Sequence, residues 1–269
     1  MKLHIVLLCA LLLSGCAPDP ASLTGNQPPP VTDSETGGSE TDAEPSADIP
    51  LEGQPGEPPP APEPESSEPV NGIDASTSQG KIDWTKVKVA GVSFAFVKAT
   101  EGVETVDAQF AANWAGMKEA GIVRGAYSVY VAGDDPAEQA AHFLANTKLE
   151  SGDLPPVVDV ETRGTAGDGT PLAVGDLKTH LAALEKGTGV KPIIRTSPSF
   201  WDANFDDTFG AYPLWVAEYG VEEPRPVKGW DGWTFWRHTR DGAVDGVDGG
   251  VDQDAFSESP SSLRGLTLP

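Results

Sequence analysis

The stretch Gly152-Asp153-Leu154-Pro155-Pro156-Val157-Val158-Asp159-Val160-Glu161 decides the fold. Each proline bars helical geometry at the residue before it, so the chain enters extended. Residues 156–161 then read as a strand, short and apolar enough to be buried. Yet the strand carries two acids, and an unpaired carboxylate inside an apolar strand is costly. Asp159 and Glu161 are two apart, so both project to the same face. The strand repeat puts their carboxyl groups roughly 5–7 Å apart.

On either side of this segment, short apolar runs alternate with amphipathic stretches. Residues 73–75, 93–100, 123–130 and 192–196 read as strands. Residues 83–90 read as a short helix, with Trp84, Val87 and Val89 apolar. A second helix covers 107–120, where Phe110, Trp114 and Met117 recur at spacings of four and three. A third covers 136–147, opened by Asp134-Asp135-Pro136. A fourth covers 174–186 and ends in Gly187. Beyond 196 the pattern thins: residues 214–217, 233–238 and 251–256 read as strands with no convincing helix between them.

Strands alternating with helices imply parallel pairing and right-handed crossovers. The expected fold is therefore an α/β modified (β/α) barrel of about eight strands with about five helices. In such barrels the chemistry sits at the C-terminal ends of the strands. Acids recur there: Gly72-Ile73-Asp74 in the first strand, Asp159 and Glu161 in the fourth, and Val251-Asp252-Gln253-Asp254 in the last.

The N-terminus has a different character. Lys2 is followed by an apolar run over 5–13, and then by Leu13-Ser14-Gly15-Cys16. One early cation, a short apolar core and small residues before a cleavage point make a secretory signal over 1–15. The ending resembles the bacterial lipobox, which implies acylation of Cys16. Several acyl chains on one residue give stable anchoring, at about 0.8 kcal/mol per buried methylene. The chain is expected to be exported and lipid-anchored to the cell envelope, at the outer membrane or on the outer face of the plasma membrane. Ala17 after the cysteine permits sorting to the outer membrane.

Residues 17–70 hold fourteen of the 25 prolines, twelve acids, no Lys or Arg and no aromatic residue. Such a stretch cannot bury enough apolar surface to offset ordering entropy, so residues 16–70 are expected to be a disordered, extended tether. Residues 71–269 form one domain. Cys9 and Cys16 are the two cysteines of the chain, so the domain has no disulfide, thiolate–zinc site or cysteine nucleophile. Its surplus of acids without a basic stripe argues against nucleic acid as a partner. No metal or cofactor is expected, since His142, His180 and His238 lack ligand spacing. The domain is expected to be a monomer.

Several blocks now join. They are Gly72-Ile73-Asp74-Ala75-Ser76, Gln79-Gly80-Lys81-Ile82-Asp83-Trp84, Phe96-Val97-Lys98-Ala99-Thr100-Glu101-Gly102 and Arg124-Gly125-Ala126-Tyr127, followed by the opening stretch, Lys191-Pro192-Ile193-Ile194, Tyr212-Pro213-Leu214-Trp215-Val216-Ala217 and Val251-Asp252. In this order, over about residues 71–258, the chain resembles glycoside hydrolase family 25, the N-acetylmuramidases or Chalaropsis-type lysozymes. The resemblance implies a modified barrel and hydrolysis of the β-1,4 bond between N-acetylmuramic acid and N-acetylglucosamine, with peptidoglycan strands as the substrate. It further implies that Glu161 is the general acid and that Asp159 orients the N-acetyl group or stabilises the developing cation. Asp74 and Asp252 would be supporting acids of the pocket, and Tyr127 a pocket tyrosine. Glycoside cleavage requires a protonated acid at the leaving oxygen and negative charge near an oxocarbenium-like centre, and crowded carboxylates supply both.

The chain departs from the family pattern at Thr77-Ser78, at Ser128-Val129, at Arg195 in place of a tyrosine, and at Trp236-Arg237-His238 in place of Trp-Gln-Tyr. Arg195 and Arg237 either bind carboxylates of a modified or peptide-bearing muramic acid or neutralise the acid cluster. Trp215 and Trp236 either stack on sugars or pack in the core. Lys98 and Glu101 are expected to pair at the rim. These departures keep open a non-catalytic peptidoglycan-binding lipoprotein on the same barrel.

Overall fold

In β2 (Phe94–Glu101) successive side chains enter two different apolar environments. Phe94 and Phe96 join Val70, Val157, Ile193, Trp215, Phe235 and Phe256 in an inner cluster. Ala95, Val97 and Ala99 join Ile73, Val158, Ile194 and Val216 in an outer cluster beneath the helices. A strand buried on both faces needs cover on both sides, and a closed barrel ringed by helices provides it.

The computed structural model describes residues 70–161 and 172–269. The signal expected at 1–15, the acylation expected at Cys16 and the tether expected as far as residue 69 lie outside the described residues. Val70, assigned above to the tether, opens the first strand. The barrel runs through β1 (Val70–Ala75), β2, β4 (Val123–Val129), β5 (Val157–Asp159), β6 (Ile193–Thr196), β7 (Leu214–Ala217), β8 (Phe235–Gly242) and β9 (Val251–Phe256). Pairing of β1 with both β2 and β9 closes it. A two-residue strand, β3 (Thr105–Val106), hairpins onto β2 outside the ring.

Among the described residues six helices surround it: α1 (Trp84–Val89), α2 (Phe110–Ala120), α3 (Pro136–Thr147), α4 (Val174–Thr188), α5 (Pro198–Asn204) and α6 (Pro260–Gly265). The α3 bounds are those read from sequence, and their cause is visible. Asp135 accepts hydrogen bonds from Ala137 N and Glu138 N, and Pro136 occupies the first turn. Helix α4 does not stop at Gly187. A side chain at Gly187 would collide with Leu144 of α3, so glycine serves close packing there, and Gly189 ends the helix in the left-handed region at φ 77.

Parallel pairing holds from β1 through β8 but fails at β9, which is antiparallel to both its neighbours. The link between β8 and β9 has no helix, and a short link can join only antiparallel strands. The reversal brings the start of β9, not its end, to the C-terminal rim of the other strands. Aromatic rings fill the lower interior: Phe96 stacks on Trp215 at 4.4 Å, and Phe94 lies 5.2 Å from Phe235. Each such buried ring contributes about 2 kcal/mol. Gly72 and Gly125 admit these rings, since a Cβ at either would overlap Phe94 or Phe96. Above the rings, the interior positions of β1, β5, β6, β8 and β9 are charged.

Candidate active site

Interior parity and register build the site. Asp74 lies opposite Asp252 on the β1–β9 ladder. Asp159 pairs in register with Arg195, and Arg195 with Trp215. Arg237 pairs with Ala217 and with Asp254. Glu161 lies just beyond β5 and keeps the inward parity of Asp159. The barrel thus brings Asp74, Asp159, Glu161 and Asp252 to one rim. A β-bulge follows Arg237 in β8, a device that re-aims a side chain at the edge of a barrel.

Two guanidiniums hold these acids. Arg195 Nη1 donates to Asp159 Oδ2 at 2.6 Å and reaches Glu161 Oε2 at 2.9 Å. Arg237 Nη2 donates to Asp74 Oδ1 at 2.7 Å and contacts Asp252 Oδ2. Side-chain exposure grades the depth: 23% for Glu161, 19% for Asp252, 13% for Asp159, and only 3% for Asp74 and 4% for Arg195. Glu161 and Asp252 are therefore the acids most open to a ligand.

Beneath them lies a fifth carboxylate, Asp254, fully buried. It accepts a hydrogen bond from Trp215 Nε1 at 2.8 Å, and its Oδ2 has no partner among the described residues. Burial first, and then the charge of Asp74, push Asp254 well above the ordinary carboxylate range. The sequence names both Asp252 and Asp254 in the last strand, and the resemblance gives a role to Asp252 alone. The i, i+2 spacing that groups Asp159 with Glu161 also groups Asp252 with Asp254, so the signal was present.

Asp159 is also held above the ordinary range, by burial and by Glu161, with Arg195 as the main opposing influence. Tyr127, in β4, is buried between the two halves of the cluster. Its hydroxyl is driven far above the usual phenol value by burial, then by Asp74 and Asp159, so it stays a neutral donor. Burial works against the charge of Arg195. Asp159, Glu161 and Asp74 outweigh it and hold the guanidinium protonated. Among the described residues no cluster of three or more His, Cys, Asp or Glu could hold a metal ion.

Of the two readings left open for Trp215 and Trp236, the geometry favours packing over sugar stacking. Trp215 is fully buried between Phe96 and the Arg195 guanidinium, whose carbon lies 5.2 Å from its ring centroid. Trp236 alternates with Arg237 and so points to the outer face, where its indole donates to the Glu218 carbonyl. Arg195, expected as a substrate contact, is 3% exposed and its ion pairs are to the acids. Neutralisation is the reading the geometry supports for it. Lys98 Nζ donates to Glu101 Oε2 at 2.6 Å, as expected of that pair.

A closed barrel with carboxylates crowded at the C-terminal rim is the architecture of a glycoside hydrolase. The family model described as glycosyl hydrolases family 25 matches residues 73–247. Lysozyme M1 of Streptomyces globisporus is 36% identical over 208 residues, covering 73% of this chain and 71% of the relative. YegX of Escherichia coli, named as uncharacterised, is 38% identical over 206 residues, 73% of each chain. The crystal structure of a lysozyme from Streptomyces coelicolor superposes with a TM-score of 0.70 at 34% identity, covering 76% of this chain and 99% of that one. The chain belongs to glycosyl hydrolases family 25.

Proposed function

We propose that the domain is a muramidase, cleaving the β-1,4 bond between N-acetylmuramic acid and N-acetylglucosamine in peptidoglycan. One observation carries this reading: in a family 25 barrel, Asp74, Asp159, Glu161 and Asp252 converge on the rim where barrel enzymes work. Glu161, the most exposed of the four, serves as general acid to the leaving oxygen. Asp159 faces the developing positive charge or orients the N-acetyl group. Asp74 and Asp252 support the pocket, with Arg237 between them. Export and acylation at Cys16 would hold the domain at the envelope as a monomer, with the acidic residues 16–70 as spacer. The Leu13-Ser14-Gly15-Cys16 ending supports that placement.

The test is release of new reducing ends from purified peptidoglycan. Glu161→Gln keeps size and hydrogen bonding but cannot donate the proton, so turnover should fall about 10³-fold with an unchanged melting curve. Wild-type turnover in that variant removes Glu161 from the role. The ion pairing of every rim acid to an arginine favours a second reading, a non-catalytic glycan binder. Retention on sacculi by a wild-type domain that frees no muropeptides would select it.

A further inference from the structure

Arg195 is an expensive way to fill the barrel. It is 3% exposed, and its Nε and Nη2 are buried with no partner among the described residues. A guanidinium has five donors in a fixed fork, and this one makes its ion pairs through Nη1 alone. A buried ion pair adds little stability over an apolar side chain of similar volume. What Arg195 supplies that a methionine would not is positive charge at one point between two carboxylates.

That charge is not shared equally. Asp159 is the nearer acid, at 2.6 Å, and the deeper one. Glu161 is at 2.9 Å and almost twice as exposed. The other groups facing the guanidinium are Asp74 from β1, Tyr127 from β4, Arg237 from β8 and Asp254 from β9, with the Trp215 ring from β7. We propose that Arg195 is a positioning residue: its charge offsets the burial of Asp159 and keeps Asp159 the carboxylate of the pair beside the acid Glu161. This rests on the muramidase reading for its use. Glu161 accepts Arg195 through Oε2, which leaves Oε1 to carry the proton of the acid. As the glycosidic C–O bond breaks, that proton passes from Oε1 to the leaving oxygen. Glu161 becomes a second carboxylate, and Arg195 is already beside it to stabilise the new charge.

The test compares R195M and R195K with wild type, in kcat, KM and pH profile on peptidoglycan, and by 13C-carboxyl NMR titration of Asp159. In R195M, Asp159 loses its counter-charge and takes up a proton at higher pH. Turnover should fall on the order of 10²-fold with KM within about twofold, and the acid limb should move about one pH unit upward. R195K keeps a charge without the fork; it should recover about tenfold of the loss and return the limb towards wild type. Wild-type turnover and an unshifted limb in R195M overturn the proposal. So does equal impairment of both variants with an Asp159 titration that does not move, which would mark Arg195 as a packing element. Were wild type to release no reducing ends, the muramidase reading would fall, and the Asp159 titration alone would decide the charge arrangement. If R195M does not fold, the neutral, hydrogen-bonding R195Q decides: an Asp159 carboxyl titrating above wild type supports the proposal, and one titrating as in wild type overturns it.

Discussion

Asp254 is the residue where folding and site chemistry conflict most openly. Its carboxyl is fully buried, one oxygen bonded to the Trp215 indole and the other to none of the described residues. Burial and the neighbouring Asp74 raise its affinity for a proton, so the folded barrel binds a proton that the unfolded chain releases. A carboxyl raised in this way contributes stability that is complete below the unfolded value, about 3.9. That stability is lost as pH rises towards the folded value. An asparagine side chain at this position would keep the acceptor for Trp215 and could never ionise. Asp254→Asn should therefore gain on wild type as pH is raised across the range from 4 to 9, by roughly 2–4 °C for each kcal/mol of relieved charge. Melting temperatures across that range check it, and a difference that does not change with pH would contradict the assignment. The same residue marks a limit of reading sequence. Asp252 and Asp254 carry the same local signal as Asp159 and Glu161, but which of them reaches the rim depends on β9 running backwards, and no local pattern encodes that.

At the scale of elements, α3 is legible because its Asp135-Pro136 start is written chemically, whereas the glycine read as the end of α4, Gly187, lies inside the helix and Gly189 ends it. Helices α5 and α6 were missed although each opens on Ser-Pro, at Ser197-Pro198 and Ser259-Pro260. They have seven and six residues, too few for a 3.6-residue period to declare itself. The α3–α4 pair also contains a titratable staple. His180 of α4 is fully buried, and its Nδ1 lies 2.9 Å from the Pro136 carbonyl at the start of α3, to which it donates. Burial lowers its pKa to about 4, against about 6.5 when unfolded. Its neutral form is the folded one, so its contribution is present above pH 6.5 and lost as pH falls through about 4. At 1.36 kcal/mol per unit this amounts to about 3 kcal/mol. His180→Gln retains a donor towards Pro136 and does not titrate there. Urea midpoints measured between pH 7 and pH 4 should fall less steeply for the variant than for wild type, and parallel slopes would refute the staple.

For the molecule as a whole, strand positions followed from apolar runs, and the acids at strand ends followed from the cost of burying charge. Neither argument reaches across the barrel. The pairing of Arg195 with Asp159 and Glu161, and of Arg237 with Asp74 and Asp252, joins strands far apart in sequence, and only closure of the ring creates it. That closure has a consequence at long range. The two arginines best placed to attract an anionic polymer are already engaged by four acids. The remaining charge is strongly negative: the chain carries -23, of which residues 71–269 hold 29 acids against 17 bases. Peptidoglycan bearing free stem-peptide carboxylates is then repelled before it is bound. Repulsion of this kind reaches about 30 Å at 0.01 M salt and about 8 Å at 0.15 M. The rate on intact sacculi should accordingly rise several-fold between those two conditions. On glycan stripped of its peptides and lacking other anions, the dependence should be much flatter. Rates that fall with added salt on both substrates would mean that an attractive patch governs the encounter, and that the net charge does not.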